Sequence, residues 1–512
     1  MKHLVIILTA AVALLIGNGC QRPVNPIERG PLLFSADTVK FDSIFVNFLS
    51  PSRRLIVQNP GDQAVRINRV WLAEGSESEF ELIADGIRAD TVEDLVIAAR
   101  DSMLTIVNLR SELRDDFAEE FLNFQIGEET YQILLRARVI DAYYFRARLT
   151  QEAGDFVNLR EDSYFFGRSG ILDTTLTPEK PIIFDGPIFI PEGVTVRIQP
   201  GTQIFFTPYK FGVRDSNNEA RFGFFSWLLI DGTLQAEGTP ESPVVFQGTR
   251  FDSVFQENPA QWRGLSFRRF SRDNLLRHCV VKNGMNGVQV DSSSVNQNPK
   301  LTIQHTAIRN MGAFGLVGVG AAPGVSDFSP PSILMENSYV STCQERTFIM
   351  WYGGKYEFYN CTFANYNVVN FSRRNPQFYL NNWLTPDGQS AFVYPTYLDL
   401  KNCIVYGSEE NEIAVDTLPG QPFNRVSFDH CLLRVEEEEV LPLVEPYLDD
   451  CILNQDPLFD SIPTRNYRLK VGSLAIDAGL DLSDRYTVDF RGVPDSGRTV
   501  PFDIGAYEFQ PE

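Results

Sequence analysis

The hexapeptides FYNCTF (Phe358–Phe363) and LKNCIV (Leu400–Val405) share one pattern: apolar, variable, Asn or His, a small Cys/Ser/Thr, variable, apolar. Four more copies occur, LRHCVV (Leu276–Val281), IQHTAI (Ile303–Ile308), MENSYV (Met335–Val340) and FDHCLL (Phe428–Leu433). Their Asn/His positions, 278, 305, 337, 360, 402 and 430, are separated by 27, 32, 23, 42 and 28 residues. A short motif recurring at such intervals marks a solenoid.

Parity says which kind. In a straight strand the first and sixth positions would face opposite sides, yet both are apolar in every copy. A bend at the Asn/His turns both inward. Asn tolerates the left-handed backbone of a sharp corner, and His is enriched there too. Stacked coils would then set Asn360 over Asn402 at the strand spacing of about 4.8 Å, as an Asn ladder. The segments lack the 3.6-residue period of a helical repeat. The expectation is a parallel β-helix.

Cys279, Cys361, Cys403 and Cys431 share the fourth position with Thr306 and Ser338, which reads as small inward filler. Cys343 and Cys451 complete a set without CxxC or zinc spacing. All six are expected as thiols, with oxidation of stacked neighbours as the alternative. The His at 278, 305 and 430 are explained by their shared corner position rather than by catalysis.

The chain starts with Lys2, an apolar run Leu4–Ile16 and the sequence GNGC ending at Cys20. The run is shorter than the roughly 20 residues that span a bilayer, so it reads as an export signal. Gly17–Cys20 resembles a bacterial lipoprotein signal, although Gly17 stands where a large apolar residue is usual. The resemblance implies lipid attachment at Cys20, and hence a membrane partner through acyl chains; the alternative is ordinary signal cleavage near Gly19. With 45 basic against 66 acidic residues, the net charge of −21 argues against a nucleic-acid partner and against adhesion to anionic headgroups.

Residues 1–19 are thus the signal and 20–30 a tether. Residues 31–150 carry short alternating segments and turns such as NPGD (Asn59–Asp62), the pattern of a β-sandwich. The stretch LIVQNPGDQAVRINRV resembles immunoglobulin-like modules of bacterial surface proteins. Over 151–465, PGTQIFF (Pro200–Phe206) and DGTLQAEGTPESPVVF (Asp231–Phe246) resemble right-handed parallel β-helix proteins. Over 466–512, VGSLAIDAG (Val471–Gly479), DFRG (Asp489–Gly492) and DIGAYE (Asp503–Glu508), with DPLF (Asp456–Phe459) just ahead, resemble a choice-of-anchor Q type signature, read here as a C-terminal cap closing the last coil. The fold class is all-β: an immunoglobulin-like sandwich, then a right-handed parallel β-helix with that cap.

Function is less legible. Asp477, Asp489 and Asp503, with Arg491 near, form the tightest acidic set, and they read as turn-capping aspartates rather than a metal site. No metal, no cofactor and no catalytic residue is expected. No linear groove of acids with a basic residue is visible in the sequence. The 42-residue step from Asn360 to Asn402 is the irregularity, and Trp351, Tyr352, Tyr379, Trp383 and Tyr394 cluster in and just before it. Insertions in a solenoid map to loops, often on the binding side, and such rings suit stacking on sugars. The alternative is two coils of about 21 residues, with the aromatics in the core. The leading expectation is a non-catalytic protein of the bacterial cell envelope, an outer-membrane lipoprotein binding glycan or an envelope protein. A polysaccharide lyase or glycoside hydrolase of the β-helix type, and a structural spacer, remain the alternatives.

Overall fold

The computed structural model describes residues 25–41, 43–112, 116–147, 163–208, 210–214, 220–224, 226–250, 256–320, 325–367, 373–386, 388–493 and 496–511. The signal segment and Cys20 lie outside them. The chain divides after Asp141 into two compact units.

The first unit is a β-sandwich. One sheet orders Leu33–Phe34, Arg53–Gln58, Ser102–Leu109, Phe80–Ala84 and Ile87–Arg88. The other is built around the long antiparallel pair Phe117–Ile126 and Glu129–Ile140. Alternate residues, among them Leu55, Val57, Val107, Leu122, Phe124 and Leu135, are fully buried, as two sheets facing one core require. Asn59 opens the NPGD turn: its Nδ2 donates to the carbonyls of Gln63, Ile97 and Ala98, and its Oδ1 accepts from Gly61 N–H.

The second unit is a three-sided parallel β-helix, with sheets of 11, 10 and 9 strands in which each strand pairs with its counterpart one coil later. Its first strand, Tyr143–Arg146, pairs with Ile182–Asp185 and so stands ahead of the start at 151 expected from the sequence. The hexapeptides are its first corner. Each begins on the 10-stranded face and ends on the 11-stranded face. At the joint, His278, His305, Asn337, Asn360, Asn402 and His430 all have positive φ, between 44 and 53°. Both flanking apolar rows point inward and are buried completely: Leu276, Ile303, Met335, Phe358, Leu400 and Phe428 on one side, Val281, Ile308, Val340, Phe363, Val405 and Leu433 on the other. Each such side chain stabilises the stack by roughly 1.5–3 kcal/mol. The ladder forms as well: Asn402 Nδ2 donates to Asn360 Oδ1 at 3.0 Å, and the rings of His278 and His305 stack at 4.7 Å.

The fourth position does more than fill space. Cys361 Sγ donates to Tyr359 O and to Met335 O of the preceding coil, at 3.2 and 3.4 Å. Cys403 repeats this to Lys401 O and Phe358 O, and Thr306 Oγ1 to Gln304 O and Leu276 O. Tyr359 O, Lys401 O and Gln304 O also accept the backbone N–H of Asn337, Asn360 and His278; the thiol or hydroxyl adds a second donor at the bend, and Cys, Ser and Thr are short enough to supply it. A seventh corner, LDDCIL (Leu448–Leu453), obeys the same rule with Asp450 at φ 44° and Cys451 donating to Asp449 O and Phe428 O. An Asn/His template passes over it because Asp replaces the corner residue.

In the last coil the helical turn Leu441–Val444 and the 3₁₀ turn Glu445–Tyr447 follow in place of a strand on the 9-stranded face, and Val444 is fully buried in the end of the core. The C-terminal cap therefore works differently from the expectation: it runs back along the flank, over the first corner. Leu480 N–H donates to Asn402 Oδ1 and its carbonyl accepts from Asn402 Nδ2. Asp489 O lies 2.9 Å from His305 Nδ1, Arg498 Nε donates to Asn337 Oδ1, and Gly505 N–H donates to Asn402 O. The corner side chains that build the ladder are thus the hooks that hold the C-terminal strap.

Candidate functional site

The 10- and 9-stranded faces meet at the third corner, where the connection runs from 2 residues (352–353) to 14 (382–395) in successive coils. Strand Gly354–Tyr359 pairs with Thr396–Lys401, and Thr362–Asn365 with Ile404–Gly407, so the 42-residue step is one coil. This excludes two coils of about 21 residues. The extra length includes a short hairpin, Trp383–Leu384 against Phe392–Val393, with Phe392 and Val393 exposed.

All five aromatic candidates come to this corner, each half-buried. Trp351 ends the strand Arg346–Trp351 and pairs with Val319 of the coil before; its ring meets Phe314 edge-on at 5.6 Å. Tyr352 turns the corner at φ 64°, a conformation an aromatic residue rarely adopts, and its ring lies 6.3 Å from that of Tyr394. Tyr379 lies on the strand Phe378–Asn381 beside Ile349, under the Arg346 guanidinium at 4.8 Å.

Asp416, on the strand Ile413–Asp416, joins the set. It accepts from the hydroxyl of Tyr379, from Asn381 Nδ2 at 3.2 Å and from Trp383 Nε1 at 2.9 Å. Burial, followed by the hydrogen bond to Asp416, pushes the Tyr379 phenol up, so it stays a neutral donor. Burial draws Arg346 down from its ordinary value. Tyr379 and Trp383 are consequently held at their edges by Asp416, one face of Tyr379 lies against Arg346, and all five rings stay partly exposed. That arrangement suits stacking against an apolar ring face better than moving protons.

Asp416, Asn381 and Arg346 escaped the sequence reading. Asp416 lies 33 and 37 residues from Trp383 and Tyr379, and only the coil register brings them together.

The neighbouring 10-stranded face corrects another expectation. Glu357 and Asp399 occupy the same register position on adjacent strands, so a short run of acids with bases beside it does exist. Lys355 Nζ is 3.3 Å from Glu357, and Lys401 Nζ is 3.8 Å from Asp399. The acids are invisible as a pair in the sequence because 42 residues separate them.

The aspartates of the strap cap turns. Asp489 accepts from Arg491 N–H and Nε and from Glu508 N–H, and Asp503 from Asp477 N–H and Phe509 N–H. Among the described residues no group of three His, Cys, Asp or Glu is disposed to hold a metal ion. The six described cysteines are thiols, and burial pushes that of Cys343 up to about 12.

No family model matches the chain, and no curated protein matches it. Among solved structures, the ASH/PapD-like domain 7 of human CEP192 is similar over 24% of this chain and 95% of its own length, at 10% identity and a TM-score of 0.17. A family 123 glycoside hydrolase from Clostridium perfringens, described in a study of glycolipid glycan hydrolysis, is similar over 38% of this chain and 43% of its own, at 6% identity and a TM-score of 0.17. At those scores neither likeness carries an argument about function, and the residues of the third corner have to speak for themselves.

Proposed function

We propose that this chain is a non-catalytic, lipid-anchored protein of the bacterial cell envelope that binds glycan at the third corner of its β-helix. The observation that carries the reading is the convergence of Trp351, Tyr352, Tyr379, Trp383 and Tyr394 in the coils around one inserted hairpin, with Asp416 tying two of them together. Partly exposed aromatic rings supply apolar contact to sugar rings, while Asn381 and Arg346 supply polar contact. The lipoprotein-like signal ending at Cys20 supports a membrane anchor, and the residues that follow it favour the outer membrane facing the periplasm.

One observation favours the second reading, an enzyme acting on polysaccharide: the stacked pair Glu357 and Asp399, since glycoside hydrolysis uses two carboxylates. Each has a lysine two residues away on its own strand, and Asp399 accepts from the Tyr359 hydroxyl, outside the five rings of the corner. Binding without turnover is the better account.

The test is retention on a panel of immobilised envelope and plant polysaccharides, with Trp351→Ala and Trp383→Ala beside the parent chain. Retention lost in both variants at unchanged melting temperature supports the reading. Equal retention, or none by the parent, rejects it; release of reducing ends or unsaturated sugars would favour the enzyme. Metabolic labelling with a fatty-acid analogue, lost in Cys20→Ala, tests the anchor.

A further inference from the structure

Beside the aromatic corner, on the outer surface of the 10-stranded face, is a cavity of about 190 Å³. It starts where the corner ends. Tyr352 is followed by Gly353 and Gly354, both at positive φ, and a Cβ on Gly354 would lie 2.6 Å from the Tyr356 hydroxyl. This tight turn lets Lys355 enter the cavity wall three residues after Tyr352, as Tyr397 does three after Tyr394.

Four features describe what the cavity takes. Its size is below the roughly 300 Å³ at which pockets for drug-sized ligands begin, so it suits one small ring. Its charges balance: Arg425 is 2.7 Å from Asp327, Lys355 is 3.3 Å from Glu357, and Lys401, just outside, is 3.8 Å from Asp399. The chain as a whole carries −21, so a polyanion meets repulsion with no local basic excess to offset it. Phe328, on the rim, is 98% exposed, so its ring is open to an apolar ring surface.

Asp399 adds the fourth. Its Oδ2 accepts from the Tyr359 hydroxyl at 3.0 Å, whereas its Oδ1 is buried and accepts no hydrogen bond. Asp399 lines the cavity with about a fifth of its side chain open, and its Oδ2, already held by Tyr359, is the acceptor a ligand hydroxyl would meet.

We infer that this cavity is a subsite for a single neutral hexopyranose, the terminal or branching unit of the glycan held at the third corner. The inference rests on the glycan reading of that corner and adds the class of sugar. Phe328 covers the apolar face of the ring, and Asp399, Glu357, Lys355 and Arg425 take its hydroxyls. No proton is transferred and no bond breaks.

The experiment is saturation-transfer NMR on the full chain with the methyl glycosides of neutral hexoses and with a uronic acid as the charged control. The parent chain should show transfer to at least one neutral glycoside. Phe328→Ala and Asp399→Ala should each weaken it at least tenfold, and Ile87→Ala, an exposed residue of the first unit, should leave it unchanged. Phe328→Ala removes an exposed ring and keeps the fold, so loss there reports binding. Transfer that persists in both cavity variants, that is absent for every neutral glycoside, or that appears only for the uronic acid overturns the subsite. Polymer retention that survives Trp383→Ala, with monosaccharide transfer intact, instead removes the corner reading and leaves the cavity as an independent sugar site.

Discussion

The first and third corners of the β-helix solve the same geometric problem in opposite ways. At the first, a single residue in left-handed backbone, Asn, His or Asp, makes the turn in seven consecutive coils. Its side chains are used up by their neighbours and by the C-terminal strap. At the third, the turn is made by Ser292, Gly320 and Tyr352 in successive coils, all at positive φ, and the connecting length varies freely. The first corner is covered, periodic and architectural. The third is open and aperiodic, and the aromatic cluster stands on it. A solenoid can vary only where variation does not break the stack, so chemistry gathers where the repeat is interrupted.

Five changes would break or sharpen that contrast. The largest effect is expected at the strap over the first corner. Arg498 is completely buried, donates to Glu508 at 3.0 Å and hooks Asn337. Glu508→Ala removes the carboxylate paired with that guanidinium, leaving Asp489 and Asp503 nearby, and should cost about 3 kcal/mol in urea unfolding.

Next is the corner itself. Asn360→Ile puts a β-branched residue at φ 52° and removes the ladder bond, at a cost of about 2–3 kcal/mol, while Asn360→Gly, which keeps the backbone freedom, should cost about 1 kcal/mol. Equal losses would show that the ladder, rather than the backbone, holds the corner.

Third, Cys403→Val should lose about 0.5–1.5 kcal/mol because Phe358 O and Lys401 O lose the thiol donor while Lys401 O keeps the Asn360 N–H, and Cys403→Ser should lose much less. If Val and Ser behave alike, the fourth position is filler after all.

Fourth, at the third corner, Trp383→Ala should weaken glycan retention about tenfold, or about 1.4 kcal/mol, with stability changed by less than about 0.5 kcal/mol. A large stability loss there would make the two corners alike.

The smallest effect is electrostatic. Burial, then His305 and Arg277, lower the His278 imidazole from 6.5 to about 4, and burial lowers His305 as well. The native state therefore binds fewer protons than the unfolded chain between these values, and stability rises with pH across that window and falls on acidification from 6.5 towards 4. Melting temperatures from pH 7 to 4 should slope less steeply in the double variant His278→Asn, His305→Asn. An unchanged slope would assign it to carboxylates elsewhere.

Much of the β-helix is legible in the hexapeptides, because one bend residue and two apolar neighbours are local properties of the chain. The seventh corner at Asp450 was missed for the same reason: a template of residue types does not recognise Asp at φ 44°. The donor role of Cys361 and Cys403 was hidden too, since it depends on carbonyls of another coil. At the candidate site, Trp351, Tyr352, Tyr379, Trp383 and Tyr394 stood out by composition within an irregular step. Their partner Asp416, and the juxtaposition of Glu357 with Asp399, did not.

The amino-acid sequence by itself determined the bend, the inward rows and hence the parallel stack, because backbone conformation and apolar periodicity act over a few residues. Tertiary structure alone decided that the 42-residue step is a single coil, that the C-terminal segment straps the flank, and that Asp416 joins Tyr379 to Trp383. Those outcomes depend on strand register between residues 30 to 200 positions apart, and register is set by the packing of the whole stack.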